Sequence, residues 1–150
     1  MSKAIIVYDS RFGNTERVAR ALSTGLETGG INSDLIRASN DAALRLQEYD
    51  ALFVGCPTHA WRPSKSVKEF LAALDESSVR GKKAFAFDTK YSSRFAGSAA
   101  KHIEKALSKK GAEIIRERVS AIVEGNEGPL AAGTEDRFIK IGGEIATLLQ

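Results

Sequence analysis

Apolar and polar residues along this chain follow two alternating rhythms. Short apolar runs, continuous rather than alternating, occupy residues 4–8, 51–56 (Ala-Leu-Phe-Val-Gly-Cys) and 83–88 (Lys-Ala-Phe-Ala-Phe-Asp). Runs of that kind suit strands buried on both faces. Between them the period lengthens to that of a helix. Val18, Leu22 and Leu26, with Ala19 and Ala21 alongside, form one stripe, and Val67, Phe70, Leu71 and Leu74 a second. Ala99, Ala100, Ile103, Ala106 and Leu107 form a third, and Phe138, Ile141, Ile145 and Leu148 the last. Each stripe marks the buried face of an amphipathic helix.

The weaker segments fill the gaps. Residues 33–37 read as a second strand, poor enough in apolar residues to lie near a sheet edge. Leu44, Leu46 and Tyr49 suggest a short helix or an irregular crossover. A fifth strand falls within residues 112–123, at Ile114-Ile115, at Ala121-Ile122-Val123, or at both. Gly29-Gly30 stops the first helix. Pro57 ends the third strand, and residues 89–97 and 124–133 read as loops. Ser66 and Glu69 have the spacing of a capping box, and Thr134 is the expected N-cap of the last helix. Strand then helix, five times over, predicts an α/β fold: a three-layer, doubly wound, five-stranded parallel sheet with helices on both faces. Residues 1–150 are expected to form a single domain.

The turn from the first strand into the first helix holds the most chemistry. Residues 9–15 are Asp-Ser-Arg-Phe-Gly-Asn-Thr. The first N–H groups of a helix lack partners within it and carry its partial positive charge, so a phosphate can satisfy them. Ser10 and Thr15 add hydroxyls, Asn14 an amide, and Gly13 a close backbone approach. A plain strand-to-helix turn has the same composition. The lysine of an ATPase phosphate loop is absent, and so is the Gly-x-Gly-x-x-Gly of dinucleotide folds.

Composition narrows the class. The hydrophobic fraction of 43% and charged fraction of 27% are those of an ordinary globular protein. No apolar run approaches the ~20 residues of a membrane span. Entry into a strand directly after Met-Ser-Lys argues against a signal peptide, and Cys56 is the one cysteine, so a reducing cytoplasm is expected. The net charge of +3 is uneven: residues 80–118 hold 11 Lys and Arg against 4 Asp and Glu, a local +7, which leaves −4 elsewhere. Solvated helix faces explain this, as does an anionic partner. Nucleic acid is disfavoured, because no aromatic stacking platform or reading helix accompanies the charge.

The 9–15 turn resembles the phosphate loop of the flavodoxin family, Thr/Ser-x-Thr-Gly-x-Thr after the first strand. The matching residues are Ser10, Arg11, Phe12, Gly13, Asn14 and Thr15, with Phe12 in place of the usual third-position hydroxyl. The resemblance runs along nearly the whole chain and implies FMN as cofactor. It also implies the strand order 2-1-3-4-5, for which flavodoxin is the standard example, with FMN at the switch between strands 1 and 3. Residues 55–58, Gly-Cys-Pro-Thr, resemble the family's Gly-Ser-Pro-Thr turn. By that resemblance Pro57, Thr58, His59, Ala60 and Trp61 flank one side of the flavin ring. Asp88, Thr89, Lys90 and Tyr91 flank the other, replacing the family's Gly-x-Gly-Asp pattern. Trp61, Tyr91 or Phe95 would stack on the ring. Cys56 reads as a small core residue and His102 as surface, and no residue is assigned as catalytic or as a metal ligand.

The expected function is electron transfer between redox partner proteins, by a monomer or weak homodimer with no membrane span. The basic charge points to an acidic docking surface on the partner. Two other readings share the fold: an FMN-dependent NAD(P)H:quinone-type reductase, and a flavin-free binding or regulatory module.

Overall fold

The computed structural model describes residues 2–58, 62–92, 97–125 and 127–150. Strand β1 (Lys3–Tyr8) leads into helix α1 (Asn14–Thr28), and β2 (Asn32–Arg37) follows. A crossover holds α2 (Asn40–Ala43) and a 3₁₀ turn at Leu46–Glu48. Next come β3 (Ala51–Pro57), α3 (Lys65–Ala73), α4 (Glu76–Val79), β4 (Lys83–Lys90) and α5 (Ala99–Lys109). Two short strands, β5 (Glu113–Ile114) and β6 (Val119–Ile122), precede α6 (Thr134–Leu149).

The sheet runs in the order β2-β1-β3-β4-β5, and every ladder is parallel. The fifth position is a strand in two pieces. β5 pairs with the start of β4 (Lys83↔Glu113) and β6 with its end (Phe87↔Val119 to Lys90↔Ile122). Both candidate fifth strands therefore form, on one edge. β2 is the opposite edge, and most of its residues are at least partly exposed.

Period-two alternation along the buried strands makes two cores. Ile5, Val7, Leu52, Val54, Ala84 and Ala86 face α3 and α5 and meet Val67, Phe70, Ile103 and Leu107. Ile6, Tyr8, Phe53, Phe85 and Phe87 face α1 and α6 and meet Val18, Leu22, Leu26, Phe138, Ile141 and Ile145. On that second side the helices touch backbone to backbone. A Cβ at Gly25 would overlap Ile139 O, and one at Gly142 would overlap Leu22 O.

Several local expectations are corrected. The N-cap of α3 is Ser64, so Ser66 lies inside the helix and forms no capping box. The N-cap of α6 is Gly133, with φ +82°; Thr134 is the first helical residue and donates its hydroxyl to Ala131 O. Leu44 is 80% exposed and Leu148 55%, so neither joins the core. β4 continues through Asp88, Thr89 and Lys90, which removes Asp88 from a strand end. β3 continues through Pro57.

Candidate functional site

The carboxyl ends of β1, β3, β4 and β6 open on one side of the sheet, where the N-terminus of α1 also arrives. A cleft there is lined by Ser10, Arg11, Phe12, Asn14 and Thr15 from the first loop. Pro57 and Thr58 line it from the second, Thr89, Lys90 and Tyr91 from the fourth strand and beyond, and Val123 from the end of β6.

The first loop is shaped by its own side chains. Gly13 has φ +90°, a conformation that a Cβ strains, and it caps α1. The hydroxyl oxygen of Ser10 accepts from the N–H of Gly13 (3.0 Å) and of Glu16 (3.3 Å), which folds the loop around Ser10. The first intrahelical bond runs from Arg17 N–H to Gly13 O, so the N–H groups of Asn14 and Thr15 precede it and lie at the positive end of the helix. Arg37 braces the loop from β2. Its guanidinium donates to Ser10 O (3.2 Å) and lies 3.8 Å from the Asp9 carboxylate and 3.5 Å from that of Glu16. Tyr8 donates its hydroxyl to the same Glu16 carboxylate (3.2 Å), and burial, then this contact, raises its pKa.

The loop is also tied to its neighbours. The Thr15 and Thr89 hydroxyls share a buried hydrogen bond of 2.9 Å. Asn14 donates its amide N–H to Glu127 O (3.1 Å), so its side chain fastens the loop after β6. The sheet ladder extends into the cleft wall: Thr58 N–H donates to Thr89 O (2.9 Å) and Val123 N–H to Lys90 O (2.9 Å). These bonds fix the wall before any ligand arrives.

Ten of the residues singled out in the sequence therefore meet at one cleft: Ser10, Arg11, Phe12, Asn14, Thr15, Pro57, Thr58, Thr89, Lys90 and Tyr91. Gly13 sits in the same loop but off the wall. Asp88 was expected on the wall and lies behind it, fully buried, its carboxylate turned to Thr58, Ser98 and Ala100. His59, Ala60 and Trp61 lie outside the described residues, as does Phe95. Val123 was missed, although the carboxyl end of a fifth parallel strand has to face the same side. Cys56 is buried, and burial pushes its thiol up to about 12, with contacts from Ser64 acting the other way; such a thiol is not a nucleophile at neutral pH. His102 is exposed.

The chemistry of the wall suits a phosphorylated flat ligand. Among the described residues its lining holds two cations, Arg11 and Lys90, and no carboxylate. Hydroxyls and helix N–H groups gather at the α1 end. Phe12 and Tyr91, 46% and 43% exposed, offer aromatic surface beside Pro57 and Val123.

The family model for flavodoxin matches residues 6–141. A flavodoxin from Maridesulfovibrio salexigens is 32% identical over 122 residues, covering 77% of this chain and 82% of that protein. An NAD(P)H dehydrogenase (quinone) from Caulobacter vibrioides is 25% identical over 122 residues, covering 68% of this chain but only 59% of that protein. Among solved structures, oxidised Flavodoxin 1 from Bacillus cereus superposes with a TM-score of 0.83 at 22% identity, covering 99% of this chain and 100% of that one.

Proposed function

The chain belongs to the flavodoxin family, FMN-binding electron-transfer proteins, and we propose that the cleft described above is where this member holds its cofactor. One observation carries the assignment of residues: among the described residues the wall combines the α1 N-terminus, the Ser10 and Thr15 hydroxyls and two cations with no opposing carboxylate. Ser10, Thr15 and the N–H groups of the first α1 turn would hold the phosphate. Pro57, Thr58, Thr89, Lys90 and Tyr91 would flank the ring. Bound FMN supplies the redox chemistry, while the chain binds and orients it and sets the local charge.

The electrons pass between redox partner proteins, and the charge of this chain selects a partner with an acidic docking surface. Lys101, Lys105 and Lys109 follow one another at i, i+4 and i+8 along α5 and are exposed, and among the described residues none has a carboxylate partner. Like charges at that spacing cost helix stability, and an acidic partner relieves them. No described helix is long and apolar enough to cross a membrane, and the buried lone Cys56 suits a reducing cytoplasm.

The test is a flavin absorbance spectrum of the purified protein with mass identification of the released cofactor. FMN and riboflavin affinities then separate the phosphate role. Ser10→Ala with Thr15→Ala should weaken FMN at least tenfold and leave riboflavin nearly unchanged; equal losses refute the phosphate assignment. Sustained NAD(P)H consumption with a quinone and no added reductase would favour a reductase instead.

A further inference from the structure

Asp88 is a carboxylate with no exposure to solvent, set in the middle of a ladder between β3 and β6. Alternation along β4 turns it to the same face as Ala84 and Ala86, away from Thr89, which meets Thr15 on the other face. Its Oδ2 accepts three hydrogen bonds: from Thr58 Oγ1–H (3.1 Å), Ser98 Oγ–H (2.7 Å) and Ala100 N–H (3.0 Å). Thr58 Oγ1 in turn accepts from Ala99 N–H (3.0 Å), so a bonded relay runs from α5 through Thr58 to the carboxylate. Its Oδ1 has no hydrogen-bond partner among the described residues. No described cation pairs with Asp88.

A tie between a loop and a helix N-terminus does not need a full charge. A neutral amide or hydroxyl would make such a tie through weaker hydrogen bonds, but without the desolvation cost that burying an unpaired ion carries. The N-terminal dipole of α5 and three donors offset part of that cost, and the orphaned Oδ1 adds to it. The charge is also beside the cleft: Thr58, which it binds, and Thr89, its neighbour in β4, are both on the wall.

We propose that Asp88 is a positioning residue for the flavin ring, an anionic latch that fastens the Thr58 wall to the N-terminus of α5 and holds a fixed negative charge behind that wall. This rests on the FMN reading of the cleft. It has two separable consequences. The latch preorganises the ring side and not the phosphate side, so losing it weakens FMN and riboflavin alike. The fixed charge opposes the negative charge that a flavin gains on full reduction, so removing it makes that reduction easier.

Three variants of the full chain test this: Asp88→Asn, Thr58→Val and Ser98→Ala. In the flavin-free protein, amide exchange at Ala100 in Asp88→Asn, and at Ala99 in Thr58→Val, should accelerate at least tenfold. Unchanged exchange overturns the latch, whether or not the protein binds flavin. Affinities for FMN and riboflavin should fall by the same factor in all three, whereas the Ser10/Thr15 variants lose FMN alone; a loss of FMN alone in the latch variants overturns the ring-side role. The more negative one-electron potential of bound FMN should rise in Asp88→Asn by about 59 mV, a tenfold shift in that equilibrium, and by clearly less in the two variants that keep the charge. Equal shifts in all three overturn the charge effect. Should Asp88→Asn fail to fold, Thr58→Val and Ser98→Ala carry the exchange and riboflavin measurements, and no loss in either refutes the latch. Wild-type protein that takes up neither flavin would sink the cofactor reading, and the exchange rates would still judge the latch.

Discussion

Thr15 Oγ1 and Thr89 Oγ1 lie 2.9 Å apart, with Thr15 1% and Thr89 5% exposed. One residue lies in the first turn of α1 and the other near the end of β4, so this bond joins the proposed phosphate end of the cleft to the proposed ring end. Replacing Thr89 with valine keeps the shape and leaves the Thr15 hydroxyl buried without its partner, which costs about 1–3 kcal/mol. Urea denaturation of the flavin-free protein should show that loss. A Thr89→Val protein as stable as wild type would mean that Thr15 finds another partner.

Gly13 presents a purely conformational demand. A Cβ there meets nothing within 4 Å, yet φ is +90°. Gly13→Ala should therefore cost about 1–2 kcal/mol from the left-handed backbone alone. It should also weaken FMN more than riboflavin, because the strain falls on the loop proposed to hold the phosphate. Calorimetric titration with the two flavins decides this; matched affinities would show that the loop keeps its shape without glycine.

The long apolar runs and helical stripes were legible because burial on both faces leaves an unbroken signature, and the β1–α1 turn was legible because strand and helix patterns abut across seven residues, 9–15. Caps were not. Ser66 and Thr134 have the right chemistry, but the helices begin where the backbone changes, at Ser64 and Gly133. Thr89-Lys90 reads as the start of a polar loop in sequence and is strand in space, because Thr89 pairs with Pro57 and Ala121 and Lys90 with Ile122, partners more than 30 residues away. Leu44 and Leu148 obey helical spacing, but spacing says which residues share a face and not whether a neighbour covers it. The same limit hid the role of Asn14, whose amide is spent on Glu127 O, 113 residues on.

The crossing of α1 and α6 should be intolerant of any added atom. Gly25 faces Ile139 O and Gly142 faces Leu22 O, both backbone atoms that cannot rotate aside. Gly25→Ala and Gly142→Ala would each force the helices apart, at about 1–3 kcal/mol, although alanine is the better helix former by about 1 kcal/mol. Gly143→Ala, where a Cβ meets nothing within 4 Å, is the matched control and should gain stability. Thermal unfolding of the three variants settles the comparison, and similar midpoints for Gly142→Ala and Gly143→Ala would disprove the close contact.

At the opposite end of the sheet, Tyr49 sets a high-pH limit. Its hydroxyl donates to the Asp34 carboxylate at 2.6 Å, and burial, followed by that bond, raises its pKa from 10.0 to about 12. The neutral phenol is the form the fold favours, so its contribution is complete below pH 10 and is lost as pH rises towards 12. Stability measured by denaturant midpoint should fall across that window. Tyr49→Phe should start lower and fall less steeply there, and parallel curves would assign the decline to other groups.

The cations of the cleft wall give the final expectation. Full reduction of a flavin can leave negative charge on the ring, and nearby positive charge makes that easier. Here Arg11 and Lys90 line the cleft, and among the described residues no carboxylate lines it. Arg62 is exposed, and Arg94 lies outside the described residues. One unit charge about 8 Å away at an effective dielectric near 20 is worth roughly 2 kcal/mol, before solvent and salt reduce it. The more negative one-electron potential should then be less negative than in an acidic flavodoxin. Arg11→Ala with Lys90→Ala should lower it by some tens of millivolts at low salt, and by little at high salt, where the Debye length shrinks to about 3 Å at 1 M. Asp88→Asn should move it in the opposite sense, so the triple variant falls between the two. Potentiometric titration at two ionic strengths checks all of this. A potential that ignores both the cation substitutions and the salt would place these side chains in bulk water and return the basic surface to partner docking alone.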